Sequence, residues 1–351
     1  MTREIRCSDL AASREDAYQE YVRRHSDATV YHLLQWRGIL AGEYRFEPHY
    51  RIAERGADVC GVLPLFLVRN LRRRAIESLP FSIYGGPLAD DVACLEALLR
   101  SAVDLSAKGT ARRVTIKVAG NDGDAFLDCG FQAVGGAIRT TVALDRDPEA
   151  HWEALPGKTR RAIRRAQKND VVVRPFRGVE DIEPMVELQL RTRRRHGMPT
   201  PSLRYYQNLW NQLAPEGLAH GFLATVKDRP AAAALFFTLQ SRMLYVLGVS
   251  AEESFACSPN DAVMWEAIRW GYARQHRLLD FGLSPRGNAG LLAFKKKWVS
   301  EENPQPHYEY PEGASRSGAG GALEALMSGT LKSLPIGLAK HLGPRLIRWF
   351  G

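Results

Sequence analysis

The chain has 351 residues, more than one average domain uses, so the length predicts two domains that each bury their own core. Hydrophobic and charged contents of 45% and 25% are typical of a globular protein and argue against a disordered or membrane-embedded chain. The net charge of +9 favours polyanionic partners such as RNA, anionic lipid or phosphorylated substrates.

The first half of the chain predicts a unit of hairpin, strand, helix and strand. Residues 49–70 form two apolar runs around a charged turn at 55–58, which is typical of a β-hairpin. The segment SIYGGPLADD follows as a short strand and a glycine turn, residues 92–109 carry apolar side chains at helical spacing, and RRVTIKV is a strand.

The YGGP turn is a candidate pocket wall. Gly85 and Gly86 permit positive φ and a close approach of the backbone to a ligand, and Tyr84 can hydrogen-bond a sugar or phosphate. A plain turn explains the same residues equally well.

A basic stretch, GKTRRAIRRAQKND at 157–170, follows the first unit. The pair Pro156–Gly157 predicts a helix start, and helical periodicity aligns the cations in two neighbouring lines, Arg160, Arg164 and Lys168, and Arg161 and Arg165. Like charges four residues apart destabilise a helix by a few tenths of a kcal/mol per pair. An acid-free stripe therefore favours a polyanion contact over an ordinary solvated face. A second cluster, RTRRRHG at 191–197, is also explained by the helix dipole.

The second half repeats the plan of the first. Residues 220–243 form a hairpin with its turn at 227–230, followed by MLYVLGVSAEES, a helix over 259–276 and the strand RLLDFGLS. This order is the plan of the GNAT-like acetyltransferase fold, although any α+β chain gives a rough self-match. The sequence predicts an α/β (α+β) protein with tandem duplicated GNAT-like domains at 1–150 and 151–310. Asn260 is the predicted cap of the second helix, with Asp261 as its competitor.

The end of the chain predicts a linker and a tail. Residues 311–322 are rich in Gly and Ser, and residues 323–351 form an apolar segment with spaced basic residues. Such an amphipathic tail can lie on an anionic lipid surface, pack on the first unit or mediate dimerisation.

Five segments resemble the FemABX family, and more closely the FemAB-type proteins encoded with exosortase (PEP-CTERM) and exopolysaccharide systems. They are SLPFSIYGGPLADD, KTRRAIRRAQKN, DFGLSP, AFKKKW and the tail SLPIGLAKHLGPRLIRWFG, which follow one another in the family's order. The resemblance implies tandem acetyltransferase-like domains and transfer of an acyl or aminoacyl group onto an amine. Characterised branches take the amino acid from aminoacyl-tRNA and attach it to the peptide stem of a cell-wall precursor. The helical arm that tRNA-using members often carry is missing from the second unit.

The resemblance also implies site residues. Phe294 and Lys295 match the family's FK position, whose lysine faces the substrate and stabilises negative charge; Lys296 adjoins them. A solvated lysine run beside a core tryptophan is the alternative. Asp280 ends a buried-looking strand, where a carboxylate needs a partner, so it is predicted to hold the acceptor amine, take its proton or form a structural ion pair.

The expected pyrophosphate loop of ordinary GNAT enzymes, Q/R-x-x-G-x-G/A, is missing. After MLYVLGV stands SAEESFACSPND, without the arginine or the glycines. Backbone amides would not cradle a pyrophosphate there as usual, which argues against ordinary acetyl-CoA binding.

Cysteine and histidine patterns predict no metal. The five cysteines form no CxxC pair and the nine histidines no HxxE or HxxxH set, so neither a zinc site nor a disulfide framework is expected. The polar N-terminus predicts no signal peptide, and the longest apolar run of the body, at 231–237, is far shorter than the ~20 residues of a membrane span. These features predict a cytoplasmic protein.

The function predicted from the sequence is an N-acyl- or aminoacyltransferase that forms an amide on an amine of a cell-envelope or polysaccharide precursor. Aminoacyl-tRNA or acyl-CoA is its co-substrate, and no cofactor is bound. Predicted partners are an anionic precursor, tRNA and the anionic inner face of a membrane. One alternative is a GNAT-type enzyme that depends on acyl-CoA or acyl-carrier protein. The other is a non-catalytic factor of polysaccharide assembly that binds a membrane surface or nucleic acid.

Overall fold

The computed structural model describes residues 4–70, 73–118, 123–311 and 329–347. Most of the predicted linker and both ends of the predicted tail lie outside the described residues. The chain forms two compact units, each built from several stretches. Unit 1 comprises residues 1–139, 283–287 and 303–315. Unit 2 comprises residues 140–282, 288–302 and 316–351. The domain boundaries at 150 and 310 stay a prediction.

Unit 1 contains eight of the described strands and four described helices in its first stretch. The strands are β1 (Ile5–Asp9), β2 (Glu47–Pro48), β3 (Arg51–Arg55), β4 (Asp58–Leu63), β5 (Leu65–Asn70), β6 (Arg73–Ser78), β7 (Leu88–Ala89) and β8 (Val114–Lys117). The helices are α1 (Glu15–Arg24), α2 (Leu34–Tyr44), α3 (Val92–Ala107) and α4 (Gly123–Asp128). A ninth strand, β9 (Gln132–Ala143), begins in this stretch.

Two groups of strands build unit 1. The order β1-β3-β4-β7 forms an antiparallel sheet, and α3 contacts its first three strands. In the second group β2, β5, β6 and β8 are successive neighbours, with β6 and β8 parallel. Asp91 caps α3 by accepting a hydrogen bond from the Cys94 amide at 2.9 Å. The apolar face of α3, including Leu98 and Leu99, is buried in the core of the unit.

The first predicted hairpin is confirmed with one correction. Strands β3 and β4 pair around the turn at 55–58, as the sequence predicts. The second apolar run is not one strand, because Pro64 separates β4 from β5 and these two strands belong to different sheets. Proline has no N–H to donate to a strand ladder, so the run breaks there. The segment SIYGGPLADD contains the predicted short strand, but this strand, Leu88–Ala89, follows the glycine turn and does not precede it.

Unit 2 contains most elements of the second half. Its strands are β10 (Val171–Pro175), β11 (Ala219–Val226), β12 (Arg229–Leu239), β13 (Arg242–Ser250) and most of β14 (Leu278–Pro285), in that spatial order. Its helices are α5 (Pro148–Ala154), α6 (Gly157–Lys168), α7 (Ile182–Arg195), α8 (Leu203–Leu213), α9 (Pro259–Ala273), α10 (Ala289–Lys296) and α11 (Ile336–Leu346). The strand β15 (Glu301–Tyr310) starts in unit 2 and pairs with β8 through its last four residues.

The core of unit 2 lies between its sheet and α9. Alternate residues of β12, among them Ala232, Ala234 and Phe236, share one face of the strand and pack with Met264 and Ile268 of α9. The helix α6 packs on α9, and α7 packs on β12 and β13. The helix α11 packs on α7, so this part of the tail contacts unit 2, whereas the sequence left unit 1 open as its packing partner.

Candidate functional site

The parallel strands β13 and β14 separate after a short paired stretch. Among the described residues, Arg242–Leu244 pair with Leu278–Asp280, although both strands continue beyond this point. Where a strand leaves its neighbour, the facing N–H and C=O groups need other partners and become available to a ligand. We call the gap beyond Leu244 and Asp280 the strand split.

Helix α10 carries Lys295 into the strand split. The side chain of Asn288 caps this helix by accepting a hydrogen bond from the Leu291 amide at 3.1 Å. Lys295 is 2% exposed, and its Nζ donates to the carbonyl oxygens of Phe281 at 2.6 Å and Gly282 at 3.4 Å. An ammonium group has three N–H donors, so one donor is not used by these two carbonyl groups.

The pKa of Lys295 lies close to neutral pH. Burial removes water from the charged form and lowers the pKa of Lys295 to about 8, while the negative charge of Asp280 opposes this shift. Both protonation states are therefore populated near neutral pH. Such a group can stabilise a developing negative charge or transfer a proton.

Asp280 is the last residue of β14 that pairs with β13. It is fully buried, and its Oδ1 accepts a hydrogen bond from the Gly282 amide at 2.8 Å. Gly282 has a φ of 66°, a left-handed conformation that a residue with a side chain adopts with strain. Asp280 and Gly282 thus shape the backbone whose carbonyl groups receive Lys295, and the carboxylate favours the protonated lysine.

The other residues of FKKKW have different environments. Phe294 is half-buried, with its ring centroid 6.4 Å from that of Tyr245 beside the split. Lys296 is exposed to solvent. Lys297 forms an ion pair with Asp261 of α9, and its Nζ lies 4.8 Å from the centroid of the Phe294 ring. Of the three lysines only Lys295 reaches the split.

The structure adds Tyr245 and Gly248 to the site. Tyr245 follows the last residue of β13 that pairs with β14, its ring centroid is 5.4 Å from that of Phe281, and burial raises its pKa. A Cβ on Gly248 would lie 1.7 Å from the Tyr245 Oη, so only glycine allows this tyrosine position. A glycine inside a predicted strand marks a close approach and was the signal in the sequence.

The predicted cap of α9 by Asn260 is wrong. The helix begins at Pro259, whose fixed φ suits the first helical position, so Ser258 takes the capping position without a side-chain hydrogen bond. Asn260 Nδ2 instead donates to Ser250 Oγ at 2.9 Å and ties α9 to the end of β13. Asp261 is the partner of Lys297.

The segment between β13 and α9 is a 3-10 helix and not a glycine-rich loop. Residues Glu252–Cys257 form this helix, with two glutamates in its first turn. Glu252 and Glu253 form ion pairs with Arg195 and Arg191 of α7, which balance their charge.

The basic helix α6 presents a different stripe from the predicted one. Arg160 forms an ion pair with Glu153 at 2.6 Å, and the Arg164 guanidinium lies 5.6 Å from the centroid of the Trp152 ring. These two contacts hold against α5 two of the three residues, Arg160, Arg164 and Lys168, that the sequence predicts to bind an anionic substrate, and this role stays a prediction. Four exposed cations have no ion pair with another described residue: Lys158, Arg161, Arg165 and Lys168. We call these four residues the α6 stripe.

The arginines at the end of α7 have partners within unit 2. Besides the two ion pairs with Glu252 and Glu253, Arg193 donates to the Pro199 carbonyl at 2.8 Å and Arg194 to the Leu334 carbonyl at 2.6 Å. These contacts explain this second basic cluster by the fold of the unit.

The YGGP turn is tightly packed in unit 1. Tyr84 is buried beneath the Arg139 guanidinium, which lies 5.2 Å from its ring centroid. A Cβ on Gly85 would lie 2.2 Å from Leu79 Cδ1, and one on Gly86 would lie 2.8 Å from Val118 Cγ1. Neither glycine has a positive φ. Close packing alone accounts for both glycines, and substrate binding by these three residues stays a prediction.

Two features are absent from the described residues. No group of three or more His, Cys, Asp or Glu side chains in that part of the chain is arranged to hold a metal ion. None of its helices is long and apolar enough to span a bilayer.

A known protein family matches the residues that contain the strand split. Residues 157–296 match the family described as Acetyltransferase (GNAT) domain. No curated protein matches the chain.

Solved structures share the fold at low sequence identity. FemX is 16% identical with a TM-score of 0.71, over 87% of this chain and 97% of FemX. A tandem GNAT protein from the clavulanic acid biosynthesis pathway is 15% identical with a TM-score of 0.54, over 89% of this chain and 100% of that protein. L-PGS from Bacillus licheniformis is 11% identical with a TM-score of 0.57, over 93% and 97% of the two chains. These likenesses confirm the predicted tandem GNAT-like fold.

Proposed function

We propose that this chain, a GNAT-type acyltransferase, joins an acyl or aminoacyl group to an amine of a cell-envelope or polysaccharide precursor. The observation that carries the proposal is the buried Lys295 in the strand split, with a spare N–H donor and a pKa of about 8. The fold it shares with FemX and L-PGS supports the same class of reaction. Such a precursor places the enzyme in the cytoplasm, at the inner face of the membrane.

The chemistry requires an amine nucleophile and a stabilised oxyanion. The lone pair of the amine forms the C–N bond with the carbonyl carbon of the donor, and the carbonyl oxygen becomes negative. Protonated Lys295 donates its spare N–H to this oxygen. The bond from carbon to the leaving group then breaks as the carbonyl re-forms. The amine proton passes to solvent or to the departing group, which leaves a neutral amide.

The segment before α9 supports a donor other than one held through its pyrophosphate at that position. Glu252 and Glu253 occupy the place where a polyphosphate would need backbone amides. The candidate donors are aminoacyl-tRNA and acyl-CoA bound in another manner. Both donors are anionic, which suits the net charge of +9.

Intact-mass analysis of acceptors tests the proposed function. Amine-bearing precursors, such as a nucleotide-linked muropeptide and an amino-sugar oligosaccharide, are incubated with the full chain and with either charged tRNA or acyl-CoA. We expect the acceptor mass to increase by the mass of the free carboxylic acid or amino acid minus one water, since the acyl group replaces one amine hydrogen. No mass change on any amine with either donor contradicts the proposal, and binding of generic RNA alone favours the nucleic-acid-binding alternative.

The α6 stripe provides a second prediction. Arg161→Ala combined with Arg165→Ala removes two exposed cations and should raise the KM for the anionic substrate about tenfold with kcat nearly unchanged, since each contact is a long-range attraction. Arg160→Ala with Arg164→Ala is the matched control on the same helix, and we expect a smaller effect because these side chains contact α5. A larger effect in the control pair would show that the substrate contacts the line of Arg160, Arg164 and Lys168, as the sequence predicts.

Asp280→Asn tests how the carboxylate acts on Lys295. Because Asp280 raises the pKa of Lys295, its removal should shift the alkaline limb of the kcat/KM profile, near pH 8 in the wild type, to lower pH. The acid limb, set by deprotonation of the acceptor amine, should not move. A loss of activity that is equal at all pH values would show that Asp280 has only a structural role.

A further inference from the structure

A cavity in unit 2 lies away from the residues of the strand split. It has a volume of about 190 Å³ and is formed by α7, the start of α8 with the residues before it, and α11. The exposed surface of its lining is mostly apolar, and five of its eleven lining residues are apolar: Val186, Leu190, Pro201, Leu203 and Ile336. An apolar enclosure of this kind takes up hydrocarbon in preference to water.

Contacts near both ends of α11 fix this helix beside the cavity. Arg194 Nε donates to the carbonyl of Leu334, just before the helix, at 2.6 Å. Near the other end a Cβ on Gly343 would lie 3.0 Å from the backbone N and O of Thr200, so glycine lets the helix approach this segment. Leu331, Ala339 and Ile347 are buried. The helix α11 therefore contacts the rest of unit 2 on both sides of the cavity.

One polar group inside the lining lacks a partner. Thr200 lines the cavity and is 4% exposed, and its Oγ1 has no hydrogen-bond partner among the described residues. A buried hydroxyl without a partner is unfavourable.

The rim of the cavity carries charges of both signs. Glu183 and Glu187 of α7 and Lys340 of α11 are exposed, and none forms an ion pair with another described residue. Arg191, also on the rim, is paired with Glu253. Two free carboxylates beside one free ammonium suit a headgroup that combines a cation with a phosphate, and suit a purely anionic headgroup less well.

The outer surface of α11 indicates where such a ligand comes from. Ile336, at the cavity, is 45% exposed, and Leu338 is 50% exposed on the same helix. The described tail, residues 329–347, contains Lys332, Lys340 and Arg345 and no acid. Exposed leucine and isoleucine side chains among cations are typical of a helix that lies on a lipid surface.

We propose that this cavity binds a short segment of one acyl chain of a zwitterionic membrane phospholipid, with its ammonium group toward Glu183 and Glu187 and its phosphate toward Lys340. The site is independent of the acyl transfer at the split, so it stands even if the proposed reaction fails. It gives the enzyme a means of staying at the membrane where lipid-linked or envelope precursors are found.

Calorimetric titration of the full chain with short-chain lipids tests this proposal. The probes are dioctanoyl phosphatidylethanolamine, dioctanoyl phosphatidylglycerol and octanoate, each below its micelle concentration. We expect the ethanolamine lipid to bind about tenfold more tightly than the glycerol lipid, the effect of about one charge-assisted contact. Glu183→Gln with Glu187→Gln should remove this preference. Equal binding of both lipids, or equally tight binding of octanoate, overturns the proposal.

A matched pair of tryptophan variants locates the chain. Ile336→Trp places a larger side chain at the cavity and should weaken binding of the ethanolamine lipid about tenfold or more. Leu338→Trp makes the same kind of change on an exposed position of α11 that does not line the cavity, and should bind as the wild type does. Far-UV circular dichroism checks that both variants fold. Identical affinities for the two variants exclude this cavity as the site.

Discussion

Lys295→Met is expected to lower kcat/KM for acyl transfer about 100-fold or more, with little change in fold. Removing one donor to a developing oxyanion costs about 10²–10³ in rate in other enzymes. Methionine has nearly the same length as lysine and no charge, so the buried site loses the ammonium without a large cavity. Steady-state kinetics with the acceptor identified by intact mass gives the result, and circular dichroism checks the fold.

Lys227→Met is the matched control for this prediction. Lys227 is exposed in the turn between β11 and β12, so the same change there should leave the activity at the wild-type level. Lys295→Arg is informative as well, because it keeps the charge but places a broader group against the carbonyls of Phe281 and Gly282. Wild-type activity in Lys295→Met would exclude the role in transfer and leave Lys295 as a structural residue.

The stability of the protein should depend on pH through the same lysine. The folded-state pKa of Lys295 is about 8, against an ordinary value of 10.5. Between these two values the unfolded chain binds the proton and the folded chain does not, so the unfolding free energy contributed by Lys295 rises with pH across this window. Below pH 8 the penalty of burying the ammonium is fully present, about 3 kcal/mol for a shift of this size.

Denaturant unfolding of the wild type and Lys295→Met between pH 7 and 10.5 measures the contribution of Lys295 to the unfolding free energy. We expect the variant to be the more stable protein at pH 7, and the difference to disappear as the pH approaches 10.5, because the wild-type lysine is then neutral in both states. Parallel stability curves would show that the lysine is not desolvated as the structure indicates. A variant that gains stability and loses activity would show that burial of this charge is retained for function.

Local pattern predicted the elements of the fold well. The hairpin turns at 55–58 and 227–230, the helix start at Pro156–Gly157 and the strand of Asp280 depend on neighbours along the chain, and the structure confirms them. The break at Pro64 was also visible in the sequence, since proline interrupts a ladder wherever it lies in a central strand. It was not predicted, because the run is apolar on both sides of Pro64.

Contacts between distant residues were not predictable from pattern. Arg160 and Arg164 share a helical line with Lys168, but only the packing of α5 shows that Glu153 and Trp152 already engage them. Three lysines in FKKKW look alike in the sequence. Their different environments follow from where α10 lies against β14 and α9.

The sequence by itself determined the tandem α/β plan, the basic character of α6 and the candidate lysine, because periodicity, turn chemistry and short motifs are properties of neighbouring residues. Only the tertiary structure decided which lysine is buried, that β13 and β14 separate beside it, and that Tyr245 lies over Gly248. Desolvation and strand separation depend on atoms brought together from distant parts of the chain. The pKa of Lys295, on which the proposed chemistry rests, therefore exists only in the folded protein.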